Sequence, residues 1–184
     1  YAVFDFGGGT TDFDYGVYRE PTDDEADLYD HVIEHFGSSG DKFLGGENLL
    51  ENLAYLVFKE NQNICREKKI AFTKPLDAEK FAGSELLITQ TQAAYTNTTL
   101  MMSKLRDFWE KGKFDNSAEG KMEVKLISRN NEEVSCELII KQESLLNYLQ
   151  QRIAQGLKNF FVAMNDAFSQ QQKKLPQQIH ILMA

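Results

Sequence analysis

The stretch DFGGGTTD, Asp5 to Asp12, decides the fold predicted for this chain. It joins the apolar run YAVFDF to the run TDFDYGVYR, in which apolar and polar residues alternate. Two such runs around a short glycine-containing turn predict a β-hairpin. Three consecutive glycines are more than a hairpin needs, so the turn is expected to have a second role.

The residue types in this turn suit a phosphate group. Glycine lets the backbone approach a ligand without a Cβ atom in the way, and successive backbone N–H groups in a turn form a nest that binds anions. The threonines add hydroxyl donors, and the flanking aspartates suit Mg²⁺ held through its waters. The alternative is an ordinary hairpin with a flexible turn. The candidate residues are Asp5, Gly7, Gly8, Gly9, Thr10, Thr11 and Asp12.

The next part of the chain predicts one more strand and then helices. LYDHVIEHFG alternates and predicts a third strand, followed by the glycine-rich connection GSSGDKFLGGE. ENLLENLAYLVFKENQ has apolar residues at helical spacing. KPLDAEKFAGSELL predicts a turn and then a helix, and TLMMSKLRDFWEKG predicts a clearer helix.

The last third predicts a hairpin, a long helix and a final buried strand. KMEVKLISR and EEVSCELIIK alternate around Asn130-Asn131, a tight turn because Asn tolerates positive φ. A helix is predicted over residues 144–168 and a buried strand at QIHILMA. Without the middle insert the order is βββα–αβ. The apolar residues expected on one side of the long helix are Leu145, Leu149, Ile153, Leu157, Phe161, Met164 and Phe168.

Composition argues against several classes of protein. The chain has 20 Lys and Arg against 28 Asp and Glu, a net charge of -8, which disfavours nucleic acid as the main partner. No apolar run approaches the roughly 18 residues of a membrane span, so we expect no membrane partner. Cys65 and Cys136 are expected to be thiols in a reducing, cytoplasmic compartment. His31 and His35 are expected to share one face of a strand without forming a metal site.

A second glycine-rich stretch, GDKFLGGE from Gly40 to Glu47, completes a family pattern. Together with DFGGGTTD it resembles the seventy-kilodalton heat-shock proteins, the DnaK-like chaperones. In that family DFGGGTTD corresponds to the second phosphate loop of the actin-like ATPase fold. The resemblance implies lobe II of that domain, with ATP or ADP and Mg²⁺ as cofactors, and Gly45 and Gly46 as nucleotide-binding residues. The starting residue stands inside a strand-like run, so we expect a piece of a longer polypeptide.

The resemblance also implies two subdomains. A ribonuclease-H-like subdomain would comprise residues 1–64 and 143–184, and an inserted helical-plus-hairpin subdomain, residues 65–142, would close over adenosine. LRDFWEKGKFDNS resembles the family's helix over the nucleoside, with Glu110, Lys113 and Ser117 at the contacting positions. Phe114 stands where the family has an arginine packed on the adenine, and its ring can stack on a base. The alternative is a surface helix end.

The implied function is the ATP-binding lobe of a molecular chaperone, with Asp5, Thr10 and Asp12 as catalytic residues. Its partners would be the missing lobe I and a peptide-binding domain, with a co-chaperone or nucleotide exchange factor on residues 65–142. The chain alone is not expected to hydrolyse ATP. Two alternatives stay open: a lobe of another actin-fold ATPase, such as a sugar kinase or a filament protein, and a non-hydrolysing regulatory module. GDKFLGGE favours the chaperone, whereas Phe114 and the long stretch 60–100 favour the regulatory module.

Overall fold

The computed structural model of the chain describes residues 1–111 and 120–184 and shows a mixed α/β structure, as predicted. It divides into two compact units, Tyr1–Gly46 with Gln151–Ala184, and Glu47–Gln150. The functional division at 65–142 stays a prediction. In chain order the elements are β1 (Ala2–Phe6), β2 (Thr11–Arg19), β3 (Val32–Asp41), α1 (Gly46–Glu60), α2 (Gln62–Glu67), α3 (Gln92–Lys111), β4 (Lys121–Ile127), β5 (Glu133–Ile139), α4 (Gln142–Gln170) and β6 (Ile181–Met183).

The first unit is built on a four-stranded mixed sheet with the order β3-β2-β1-β6. β2 pairs antiparallel with both β1 and β3, and β6 lies parallel beside β1. The β1–β2 hairpin and the order βββα–αβ are therefore as predicted. The glycine-rich turn lies at the end of the two central strands, where the backbone leaves the sheet.

Aromatic packing holds residues 151–170 of α4 on one face of this sheet. The ring of Phe160 meets those of Phe4, Phe13 and Tyr15 at centroid distances of 5.4, 5.3 and 5.3 Å. All four side chains are buried, and the Tyr15 hydroxyl donates to the carbonyl of Phe160 at 2.8 Å. Because these side chains alternate along β1 and β2, they leave the other face of the sheet to Asp5 and Asp12.

Three predictions about β3, β6 and α4 were wrong in detail. β3 begins at Val32, after His31, and continues through Gly37 and Gly40, the first two glycines of the expected connection. β6 is exposed rather than buried, from 45% at Ile181 to 77% at Met183. The positions of α4 expected to face inward are partly buried and partly exposed, because residues four apart drift around the axis of a helix with 3.6 residues per turn. Those exposed are Ile153, Leu157 and Phe161, and those buried are Leu145, Leu149, Met164 and Phe168.

The second unit packs α1, α2, α3 and the β4–β5 hairpin around an aromatic core. The rings of Phe58 and Phe72 stack with centroids 4.1 Å apart. Two buried asparagines extend the hairpin's hydrogen bonding. Asn61 exchanges two bonds of 2.8 Å with the backbone of Ile139. Asn97 does the same with Ile127 at 2.8 and 2.6 Å.

In this unit the predicted hairpin turn is confirmed, whereas one predicted helix is absent. Asn131 has φ of 61° at the β4–β5 turn, as predicted. The helix predicted in residues 74–87 is absent, and those residues form turns and irregular chain. Their backbone is committed elsewhere, since the N–H of Phe72 donates to the Leu87 carbonyl at 3.0 Å. Pro75 and Gly83, the latter with φ of 83°, also disfavour a helix.

The cysteines are two buried thiols, as expected. Burial raises the pKa of Cys65 to about 12, so this thiol is protonated at neutral pH. Among the helices of residues 1–111 and 120–184, none has the length and apolar character needed to cross a membrane.

Candidate functional site

The candidate site is the turn between β1 and β2, which the strand register closes tightly. Asp5 lies directly opposite Asp12, and Phe6 opposite Thr11. One step further on, the N–H of Gly7 donates to the carbonyl of Thr10 at 2.9 Å. This bond leaves Gly8 and Gly9 at the tip of the turn. Both are exposed.

The structure explains the glycine at one position of the turn and not at the other two. None of the three has φ in the left-handed region, so backbone conformation requires glycine at none of them. A Cβ on Gly7 would lie 2.9 Å from the carbonyl oxygen of Thr10, which is too close. A Cβ on Gly8 or Gly9 would meet no atom within 4 Å. Neither conformation nor packing therefore accounts for glycine at the tip.

The second glycine-rich turn lies directly against the first. A Cβ on Gly45 would lie 2.6 Å from the carbonyl oxygen of Gly8 and 2.7 Å from Cα of Gly9. The N–H of Gly46 donates to the carbonyl of Gly7 at 3.1 Å. Both residues, predicted to bind nucleotide, thus contact the triglycine turn. Their observed contacts are with the backbone of that turn, which they support by packing and by a hydrogen bond.

The two threonines take different positions. Thr10 is exposed beside the glycines, as a ligand-facing hydroxyl requires. Thr11 is fully buried, and its hydroxyl donates to the carbonyl of Leu44. The expected role of Thr11 as a hydroxyl donor to a ligand does not fit this arrangement, because its hydroxyl proton is already used within the protein.

The carboxylates of Asp5 and Asp12 form an exposed like-charged pair. Directly opposed side chains of an antiparallel pair have Cβ atoms about 4.5–5.5 Å apart, and like charges there are destabilising. Within residues 1–111 and 120–184 neither carboxylate has an ion-pair or hydrogen-bond partner. A phosphate beside them would be repelled unless a divalent cation lay between. The donor set suits hydrated Mg²⁺, which keeps several waters and needs only one or two carboxylates.

No larger metal cluster occurs in the part of the chain that the structure describes, where no group of three or more His, Cys, Asp or Glu could hold an ion. The next carboxylate along β2, Asp14, is committed to neighbours. It accepts from the hydroxyl of Tyr1 at 3.1 Å and pairs with Nε2 of His35 at 2.9 Å. Burial, followed by the bond to Asp14, raises the pKa of the Tyr1 phenol. His31, expected on the same strand face, lies outside β3 and packs on Tyr18 with centroids 5.1 Å apart.

A mostly buried ion pair behind the second turn was not found from the sequence. Arg152 of α4 donates two hydrogen bonds to the carboxylate of Asp41, at 3.0 and 2.5 Å. The side chains of Arg152 and Asp41 are only 17% and 8% exposed. Burial raises the pKa of Asp41, but the bonds from Arg152 and from the Phe43 N–H outweigh it and leave the pKa below its usual value. No local pattern indicates this pair, because its partners lie 111 positions apart.

The predicted adenosine contacts are placed only in part. Glu110 is exposed in the last turn of α3, in the second unit. Lys113, Phe114 and Ser117 lie outside the described residues. Their contacts with adenosine stay predictions.

Comparison with known proteins assigns the chain to no family. No family model matches the chain. A search of the curated proteins likewise finds no match.

Proposed function

We propose that this chain is the ATP-binding lobe of a DnaK-like chaperone ATPase, with Asp5–Asp12 as its phosphate site. The observation that carries the proposal is the open space at Gly8 and Gly9. Glycine is required there by neither φ nor neighbouring atoms, so close approach of a ligand is the remaining physical reason for it. The exposed carboxylates of Asp5 and Asp12 flank the turn, and among the described residues neither has a partner, so they supply the place for a bound cation.

The strand arrangement supports the finer fold proposal, an actin-like ATPase lobe. Three antiparallel strands are followed by α1, and after the insert α4 leads to β6, which returns parallel to β1. That is the order expected of a ribonuclease-H-like half-domain carrying an inserted subdomain. The phosphate turn then lies at the hairpin end of the two central strands, where ligand access is open.

Four residues of the turn have a defined task in this proposal. The N–H groups of Gly8 and Thr10 donate no hydrogen bond within the described residues, so they are available to phosphate oxygens. The Thr10 hydroxyl adds a donor directed to the terminal phosphate. Asp5 and Asp12 would hold Mg²⁺ through its waters and would orient an attacking water. Bound Mg²⁺ would supply charge neutralisation between the phosphates and these carboxylates.

The remaining proposals follow from the same family resemblance. The parent chain would be a cytoplasmic ATPase, with lobe I completing the cleft and a peptide-binding domain responding to the nucleotide. Residues 65–142 would close over adenosine through Glu110 and its neighbours, and would bind a co-chaperone or nucleotide exchange factor.

Calorimetric titration of the chain with MgADP and with magnesium pyrophosphate tests the phosphate site. Asp12→Asn is expected to weaken binding of both about tenfold or more, since hydrogen bonds to charged groups contribute about 1.5–3 kcal/mol each. Asp14→Asn is the matched control, because it makes the same charge change two residues along β2. Equal losses in the two variants, or no binding of either ligand by the unchanged chain, would contradict the proposal.

Turnover separates the chaperone ATPase from its alternatives. The chain alone is expected to release no phosphate from ATP. Release that Asp5→Asn abolishes would overturn that expectation. In the parent chain, slow turnover lost in Asp5→Asn supports an ATPase, whereas nucleotide binding without turnover supports a regulatory module.

A further inference from the structure

The hydroxyl of Thr11 connects the two glycine-rich turns. Thr11 is the first residue of β2, directly after the triglycine turn, and its side chain is fully buried. Its hydroxyl donates to the carbonyl of Leu44, which lies 33 positions further on in the second turn. A valine at this position would satisfy the strand and the burial equally well. The hydroxyl is therefore the feature that distinguishes threonine here.

The second turn is held from both sides. On one side Gly45 packs on the backbone of Gly8 and Gly9, and the N–H of Gly46 donates to Gly7. On the other side Arg152 binds Asp41 with two hydrogen bonds. Leu44, between these contacts, is 1% exposed. Its side chain lies where a Cβ on Gly156 of α4 would be, with Cγ only 3.3 Å away from that position.

We propose that Thr11 is a positioning residue for the phosphate-binding turn. Through the Leu44 carbonyl it holds the second turn against the first, and so it keeps the N–H groups of Gly8 and Thr10 oriented for a phosphate. This inference rests on the proposed phosphate site. It assigns Thr11 a task different from ligand contact and makes α4 the support of that site.

The paired variants Thr11→Val and Thr11→Ser test the positioning role. Val keeps the branched shape and lacks the donor, whereas Ser keeps the donor and lacks the buried methyl group. The first readout is amide hydrogen exchange at Gly46, whose N–H donates to Gly7. Thr11→Val is expected to speed this exchange about three- to tenfold, the range of one net hydrogen bond, and Thr11→Ser to leave it unchanged.

Magnesium pyrophosphate binding is the second readout and should follow the same order. Thr11→Val weakens binding three- to tenfold, and Thr11→Ser restores it. A purely packing role for Thr11 requires the reverse order, with Val like the unchanged chain and Ser defective, and that result would overturn the inference. Exchange at Gly46 needs no ligand. If the unchanged chain binds no pyrophosphate, the phosphate site fails, while the exchange result still decides whether Thr11 holds the turn.

Discussion

Replacing Gly8 by alanine should leave stability unchanged or raise it slightly, whereas replacing Gly45 should lower it, although both residues belong to glycine-rich turns. At Gly8 an added methyl meets no atom within 4 Å, and φ lies outside the left-handed region. Alanine then restricts the unfolded chain without straining the folded one, which stabilises a protein by about 0.4–1 kcal/mol. We expect Gly8→Ala to be neutral or slightly stabilising.

At Gly45 the same methyl would be placed 2.6 Å from the Gly8 oxygen and 2.7 Å from Cα of Gly9, both backbone atoms. Ordinary contacts between such atoms are about 3.5–4.0 Å, so the two turns must separate by roughly 1 Å. Overpacking of this kind costs about 1–3 kcal/mol. The free energies of unfolding of the two variants should therefore differ by about 1–4 kcal/mol.

The assay is urea unfolding followed by circular dichroism, combined with titration of magnesium pyrophosphate. Gly8→Ala should unfold at an unchanged or higher urea concentration and yet lose pyrophosphate binding, because the methyl occupies the approach to the turn. A loss of more than 1 kcal/mol of stability in Gly8→Ala, on the scale of overpacking, would show that this glycine is structural and would refute the reasoning. So would a Gly45→Ala variant as stable as the unchanged chain.

Two further predictions concern the support of the site. Because the folded-state pKa of Asp41 is lowered, its contribution to stability is present above the unfolded pKa of about 3.9 and is lost as pH falls through the folded pKa. Arg152→Leu should remove this acid dependence in urea unfolding and should cost about 3 kcal/mol of stability at neutral pH. An acid profile that is unchanged in Arg152→Leu would contradict this prediction. Gly156→Ala places a methyl group against the buried Leu44 side chain and should cost roughly 1–3 kcal/mol of stability, which lowers the unfolding temperature by about 2–4 °C per kcal/mol. An unaltered unfolding temperature in calorimetry would show that Leu44 moves aside without cost.

Local pattern accounts for much of this structure. Alternation around the glycines identified β1 and β2, and Asn130-Asn131 identified the β4–β5 hairpin, because strand period and turn chemistry act over a few neighbouring residues. The same local pattern identified Gly8, Gly9 and the flanking aspartates as the candidate site. Helical periodicity likewise identified α4 from its apolar spacing.

Tertiary structure decided what these residues contact. Sequence pattern placed Ile153 and Leu157 inside and β6 in the core, whereas burial depends on which elements are present to cover them. Pattern treated Thr11 as a ligand donor, but its partner is the Leu44 carbonyl, and Asp41 finds Arg152 across 111 positions. The sequence by itself thus determined the strands, the long helix and the glycine-rich turn, since those follow from interactions between near neighbours. The support beneath that turn was decided only in the folded chain, because hydrogen bonds and close packing between distant segments leave no periodic trace in the sequence.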